Sequence, residues 1–216
     1  MRNLLNMFTA GLFVLWGAVA SAQPVSILAL GDSLTQGYGL IEQEGFVPQM
    51  RRWLAEQGAE VRLVNAGVSG DTTAGGAARV EWSLTPEIEG MIVALGGNDL
   101  LRGIAPEVAR DNLERILEAA RARDVAVLLV GMQAPGNYGA DYKAEFDALY
   151  PELAAEYDTL LFESFFAGLQ AAGGDDPAGL RGYFQSDGIH PNADGVALIV
   201  EAMGPAVLEL VERARE

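Results

Sequence analysis

Four short clusters in this chain carry side chains suited to acyl transfer. They are Gly31-Asp32-Ser33-Leu34, Gly67-Val68-Ser69-Gly70-Asp71, Gly96-Gly97-Asn98-Asp99 and Asp187-Gly188-Ile189-His190-Pro191. A serine hydroxyl is a weak nucleophile until a base takes its proton. Ser33 is the candidate nucleophile, and His190, the one histidine in the sequence, is the candidate base. Asp187, three residues before it, could accept the other ring N–H and hold the imidazole in the useful tautomer. An acyl-transfer site also needs donors about 3 Å from the developing oxyanion. The Ser33 backbone N–H, the Gly70 backbone N–H and the Asn98 side-chain amide are candidates. Asp32, Asp71 and Asp99 are read as carboxylates that fix their loops by bonding to backbone, and no chemistry is assigned to them.

Those clusters need a frame. Apolar strand-like runs at Val25–Leu30, Val61–Asn65, Gly90–Leu95, Val125–Val130 and Thr159–Phe162 alternate with helical patterns. The helical patterns cover Gly45–Gln57, Thr73–Trp82, Pro106–Arg123, Asp141–Tyr157 and Asn192–Arg215, the last with a possible break at Gly204-Pro205. Ala171–Leu180 reads as a loop. Strands separated by helices predict crossover units, hence an α/β domain with a five-stranded parallel sheet and helices on both faces. The first three clusters directly follow strands one to three, so all three should emerge on one edge of the sheet. The fourth precedes the last helix and can fold back over that edge.

Composition narrows the function classes. The chain has 216 residues, 14 Lys plus Arg against 30 Asp plus Glu, and a formal net charge of −16. Such a surface repels nucleic acid and anionic membranes. A phosphate loop requires Gly-Lys-Ser/Thr, and the sole lysine, Lys143, stands far from any such loop. Gly37-Tyr38-Gly39 starts too far beyond the first strand for a dinucleotide fingerprint and lacks the third glycine. The Gly-x-Ser-x-Gly elbow fails at Thr35. With no cysteine and one histidine there is no thiol nucleophile, disulfide, thiolate zinc site or two-histidine metal motif. Arg2, the apolar stretch Met7–Ala20 and Ala20-Ser21-Ala22 read as a secretory signal cleaved near Gln23. The stretch is short for a span of about 20 residues. The expected product is a single domain over 23–216, exported to the periplasm or beyond, with no membrane span after processing.

Taken together and in order, the clusters resemble the four blocks of the GDSL, or SGNH, hydrolases, whose serine, glycine, asparagine and histidine fall here on Ser33, Gly70, Asn98 and His190. The family's aspartate falls on Asp187. Asn65-Ala66-Gly67-Val68-Ser69-Gly70-Asp71-Thr72-Thr73, Ala134-Pro135-Gly136-Asn137-Tyr138-Gly139 and Ser186-Asp187-Gly188-Ile189-His190-Pro191 are most similar to the small exported bacterial arylesterase and thioesterase I group. That resemblance implies a flavodoxin-like three-layer α/β/α sandwich, no metal and no cofactor. It implies hydrolysis of aryl esters, acyl thioesters and, in some members, lysophospholipids. The expected partner is a small-molecule ester or thioester, and the expected state a monomer.

The acyl group should lie along the loops at the sheet edge, where Leu34, Ile104, Met132, Pro135, Tyr138 and Ile189 could line it. An apolar groove selects by burial, at about 0.8 kcal/mol per methylene. A carbohydrate acetylesterase is the enzymatic alternative, with Tyr38, Tyr138 and Tyr183 as possible sugar platforms. A ligand-binding module on the same sheet is the non-enzymatic one.

Overall fold

In the computed structural model of the protein, residues 23–173 and 179–216 are described. The expected signal segment Met1–Ala22 and the centre of the Ala171–Leu180 stretch lie outside the described residues.

Three strands, β1 (Val25–Gly31), β3 (Gly90–Ala94) and β4 (Ala126–Val130), form the middle of one sheet. Their sequences are nearly continuous apolar runs because helices cover both of their faces. The edges are β2 (Val61–Gly67) and β5 (Leu160–Phe162), which are only partly buried. All four pairings are parallel and the order is β2-β1-β3-β4-β5. This is the flavodoxin-like order, whose direction reverses between β1 and β3.

Register sets where the clusters emerge. Gly31 pairs with Gly67 on one side and with Ala94 on the other, so β1, β2 and β3 end level. The three clusters after these strands therefore leave the sheet side by side.

The helices are α1 (Ser33–Gln36), α2 (Phe46–Glu56), α3 (Thr73–Ser83), α4 (Gly97–Arg102), α5 (Pro106–Arg121), α6 (Ala140–Tyr157), α7 (Ala167–Gly173) and α8 (Ala193–Arg213). One layer packs α2 and α7 against α8, and the other packs α3 and α6 against α5. Pro106 opens α5, where its missing N–H costs nothing.

Three features differ from expectation. The expected break at Gly204-Pro205 does not occur, and α8 runs unbroken through Pro205. Gly204 is needed there because a Cβ would lie 2.6 Å from the Trp53 ring. Trp53 in turn donates from Nε1 to the Glu201 carboxylate at 2.9 Å, fixing α2 to α8. The second difference is that Ala171–Gly173 continues α7 and does not belong to a loop. The third is that α1 and α4 are present where only turns were expected, and both carry site residues.

Candidate active site

Ser33 stands at the end of β1 because the chain is forced to turn there. A Cβ at Gly31 would lie 2.0 Å from Thr35 Oγ1 and 3.0 Å from the Ala94 carbonyl, so glycine alone fits between the strand and α1. Asp32 caps α1 by accepting the Leu34 N–H at 2.9 Å. Ser33 is the first residue of α1, which stops at Gly37 in the left-handed region, φ +89°. Arg79, on α3, donates to the carbonyls of Gly31 and Ala66 and pairs with Asp71 at 2.7 Å. One guanidinium thus ties the ends of β1 and β2 together. The expected backbone role of Asp71 is replaced by this ion pair.

His190 reaches Ser33 from the far end of the chain. Its Nε2 lies 2.9 Å from Ser33 Oγ, and its Nδ1 lies 2.7 Å from Asp187 Oδ2. Asp187 uses its other oxygen to accept the N–H groups of Ile189 at 2.9 Å and His190 at 3.0 Å. The imidazole bond, reinforced by these two backbone donors, holds the Asp187 carboxyl down at about 2. An ionised carboxylate at Nδ1 requires a proton on that nitrogen, which leaves Nε2 of the neutral ring free to accept one from Ser33. Gly188, φ +68°, makes the turn between aspartate and histidine.

Asn98 lies in the first turn of α4, and its Nδ2 donates to Asp32 Oδ2 at 3.1 Å. Asp32 is 2% exposed. Burial pushes its carboxyl up to about 6, against the opposing pull of the Leu34 N–H, the Asn98 amide and nearby His190. Gly70 adopts φ +82°, and its carbonyl accepts from Arg102 Nη2 at 2.9 Å. Asp99 is fully buried and accepts the Thr73 N–H at 2.9 Å and the Thr73 hydroxyl at 2.6 Å, which anchors α4 to α3.

Asp32, Ser33 and His190 open onto one groove of about 770 Å³, which also includes Gly70 and Asn98. Leu34, Met132, Pro135, Tyr138 and Ile189 line it. Ile104 does not: Gly103, φ +61°, ends α4, and the Ile104 N–H turns back to the Asp99 carbonyl at 3.0 Å. The Ile104 carbonyl there accepts the Tyr142 hydroxyl at 2.8 Å. Sequence reasoning missed Leu100, Leu101, Phe166 and Phe184 as groove residues. The two leucines follow Asn98 closely and could have been found on that ground. Nothing local marks the two phenylalanines. Among the described residues no cluster of three or more Asp, Glu or His side chains is placed to hold a metal ion. No helix of the described residues is long and apolar enough to cross a membrane.

Comparison with known proteins gives the family. Residues 29–198 match the model of the GDSL-like Lipase/Acylhydrolase family. Esterase TesA of Pseudomonas aeruginosa is 38% identical over 193 residues, covering 89% of this chain and 91% of that protein. Thioesterase 1/protease 1/lysophospholipase L1 of Escherichia coli is 32% identical over 216 residues, covering 98% of each chain. The crystal structure of AlinE4, an SGNH-hydrolase family esterase, superposes with a TM-score of 0.70 at 44% identity, covering 88% of this chain and 98% of that one. The chain belongs to the GDSL-like lipase/acylhydrolase family and is a hydrolase of ester bonds.

Proposed function

We propose that the protein is a serine esterase and thioesterase in which Ser33, His190 and Asp187 act as one unit. The observation that carries this reading is the unbroken hydrogen-bonded chain from Ser33 Oγ through both ring nitrogens of His190 to Asp187, with the Asn98 amide and Gly70 on the same groove. Ser33 Oγ bonds to the acyl carbon as its proton passes to His190 Nε2. The carbonyl oxygen becomes an oxyanion, held by the Ser33 and Gly70 N–H groups and the Asn98 amide. The carbon–oxygen or carbon–sulfur bond then breaks, and His190 returns the proton to the leaving group. Water, deprotonated by His190, releases the acid and restores Ser33.

The apolar lining supports esters and thioesters of short-to-medium apolar acids, and lysophospholipids as a further class. The names of the relatives, esterase, thioesterase and lysophospholipase, point the same way. Ser33→Ala should lower kcat on p-nitrophenyl acetate by a factor on the order of 10⁴–10⁶. Undiminished turnover in that variant would remove the reading.

We also place the enzyme outside the cytoplasm, from the signal-like Met1–Ala22 segment. Mass spectrometry of the protein from its native host should find the mature chain starting near Gln23. An intact Met1 would contradict export by cleavage.

A further inference from the structure

We propose that Tyr38 is the residue that favours planar aryl leaving groups over alkyl ones. The inference rests on the esterase reading above and deepens it. The leaving-group atom must receive its proton from His190 Nε2, so it lies within hydrogen-bond reach, about 3 Å, of that atom. Whatever is bonded to the leaving-group atom then lies beside the imidazole. Tyr38 is what stands there: its ring centroid is 4.6 Å from that of His190, with the planes inclined by 38°. The ring lines the groove, yet Tyr38 is 52% exposed, so one side of it is free to take a partner.

The ring is held in place for this. Gly37 and Gly39 flank Tyr38 in the left-handed region, φ +89° and +76°, and make the bend that turns it toward the groove. Gln185 locks the bend. Its Nε2 donates to the Tyr38 carbonyl at 2.8 Å and to the Pro191 carbonyl at 3.0 Å, while its backbone N–H donates to the His190 carbonyl at 2.8 Å. A Cβ at Gly39 would lie 2.1 Å from Gln185 Oε1, so a side chain there would push the Gln185 amide out of its place. One glutamine therefore joins the turn after Ser33 to the loop that carries His190, and it fixes Tyr38 against the base.

The surroundings suit an apolar aromatic partner. Ile189, beside His190, is also exposed on the groove wall, and among the described residues no lysine or arginine lines the groove. A flat aryl ring can stack in offset on the exposed side of Tyr38.

The test compares phenyl butyrate with ethyl butyrate, which share an acyl group and differ in the leaving group. Loss of an aromatic pair should reduce kcat/KM for the phenyl ester about three- to tenfold more than for the ethyl ester in Tyr38→Ala. Tyr38→Phe should restore the parent ratio. Tyr38→Leu keeps bulk without an aromatic face and should behave as Tyr38→Ala, so it serves if the alanine variant does not fold. Equal losses on both esters would mean that Tyr38 only packs His190, and that outcome overturns the inference, as would no loss on either. A parent enzyme that hydrolyses neither ester would sink the esterase reading itself, and the inference with it.

Discussion

Two aspartates flank the Ser33–His190 pair, and their surroundings drive them apart. Asp32 lies at the end of a central strand, 2% exposed, with its carboxyl pushed up to about 6. Asp187 lies on a solvent-facing loop, with its carboxyl held at about 2. Burial dominates in the first and hydrogen bonding to the ionised form in the second. The same side chain therefore suits two tasks. A carboxylate behind a base must stay ionised to stabilise the imidazolium, and Asp187 does so at little cost because water and three donors surround it. A carboxylate near the developing oxyanion would oppose that charge. Asp32 also lines the groove, but its Oδ2 is bonded to the Asn98 amide at 3.1 Å. In the proposed mechanism Asp187 is thus the electrostatic partner of the base, while Asp32 anchors a strand end, a helix cap and an amide.

The largest effect should come from the exposed member of the pair. In Asp187→Asn the amide nitrogen can take the place of the oxygen facing His190 Nδ1, which favours the tautomer with its proton on Nε2, pointing at Ser33. The base is then blocked with its geometry almost intact. We expect kcat on p-nitrophenyl acetate to fall by a factor of roughly 10⁴ near neutral pH. A loss below tenfold would show that the contrast between the two aspartates has no bearing on turnover.

Much of this contrast was legible in the sequence, and the part that was not has a physical reason. Apolar runs and their order imply a parallel sheet with clusters at its strand ends, so Ser33, Gly70 and Asn98 could be expected on one edge. Asp187 and His190 sit three residues apart on one loop, and that spacing fits their pairing. The short helices α1 and α4, of 4 and 6 residues, gave no periodic signal because neither completes two turns. Their existence turns Asp32 into a cap and brings the Asn98 amide within reach of its carboxylate. Its burial is a tertiary fact, made by α4 folding over the end of β1. Tyr38 and Gln185 are 147 residues apart, and Phe166 and Phe184 come from segments with no motif, so nothing local announces them. Ile104 was expected in the groove as a residue of the loops after the strands, but Gly103, at φ +61°, redirects the chain before it.

The smallest effect should be the one that isolates Asp32, and it is one of stability. The folded-state value of about 6 lies above the ordinary aspartate value of 3.8. A raised carboxyl binds a proton more tightly in the folded chain than in the unfolded one. The stability this contributes is full below about pH 4 and is lost as pH rises through about 6. Asp187 has the opposite sign, since its lowered carboxyl contributes stability above the unfolded value and loses it as pH falls toward about 2. The two titrations therefore occupy separate windows. Asp32→Asn removes the first and leaves the second. The amide can still accept the Leu34 N–H, but its nitrogen now meets the Asn98 Nδ2, so an offset of either sign is expected at all pH values. What identifies Asp32 is the slope: the melting temperature of Asp32→Asn minus that of the parent should climb between about pH 4 and 7 and then level off. The span corresponds to about 3 kcal/mol at most between the protonated and ionised forms. Thermal unfolding of both proteins at half-unit steps of pH measures it. A difference that stays flat across that window would mean that burial does not raise Asp32, and the electrostatic half of the contrast would fall.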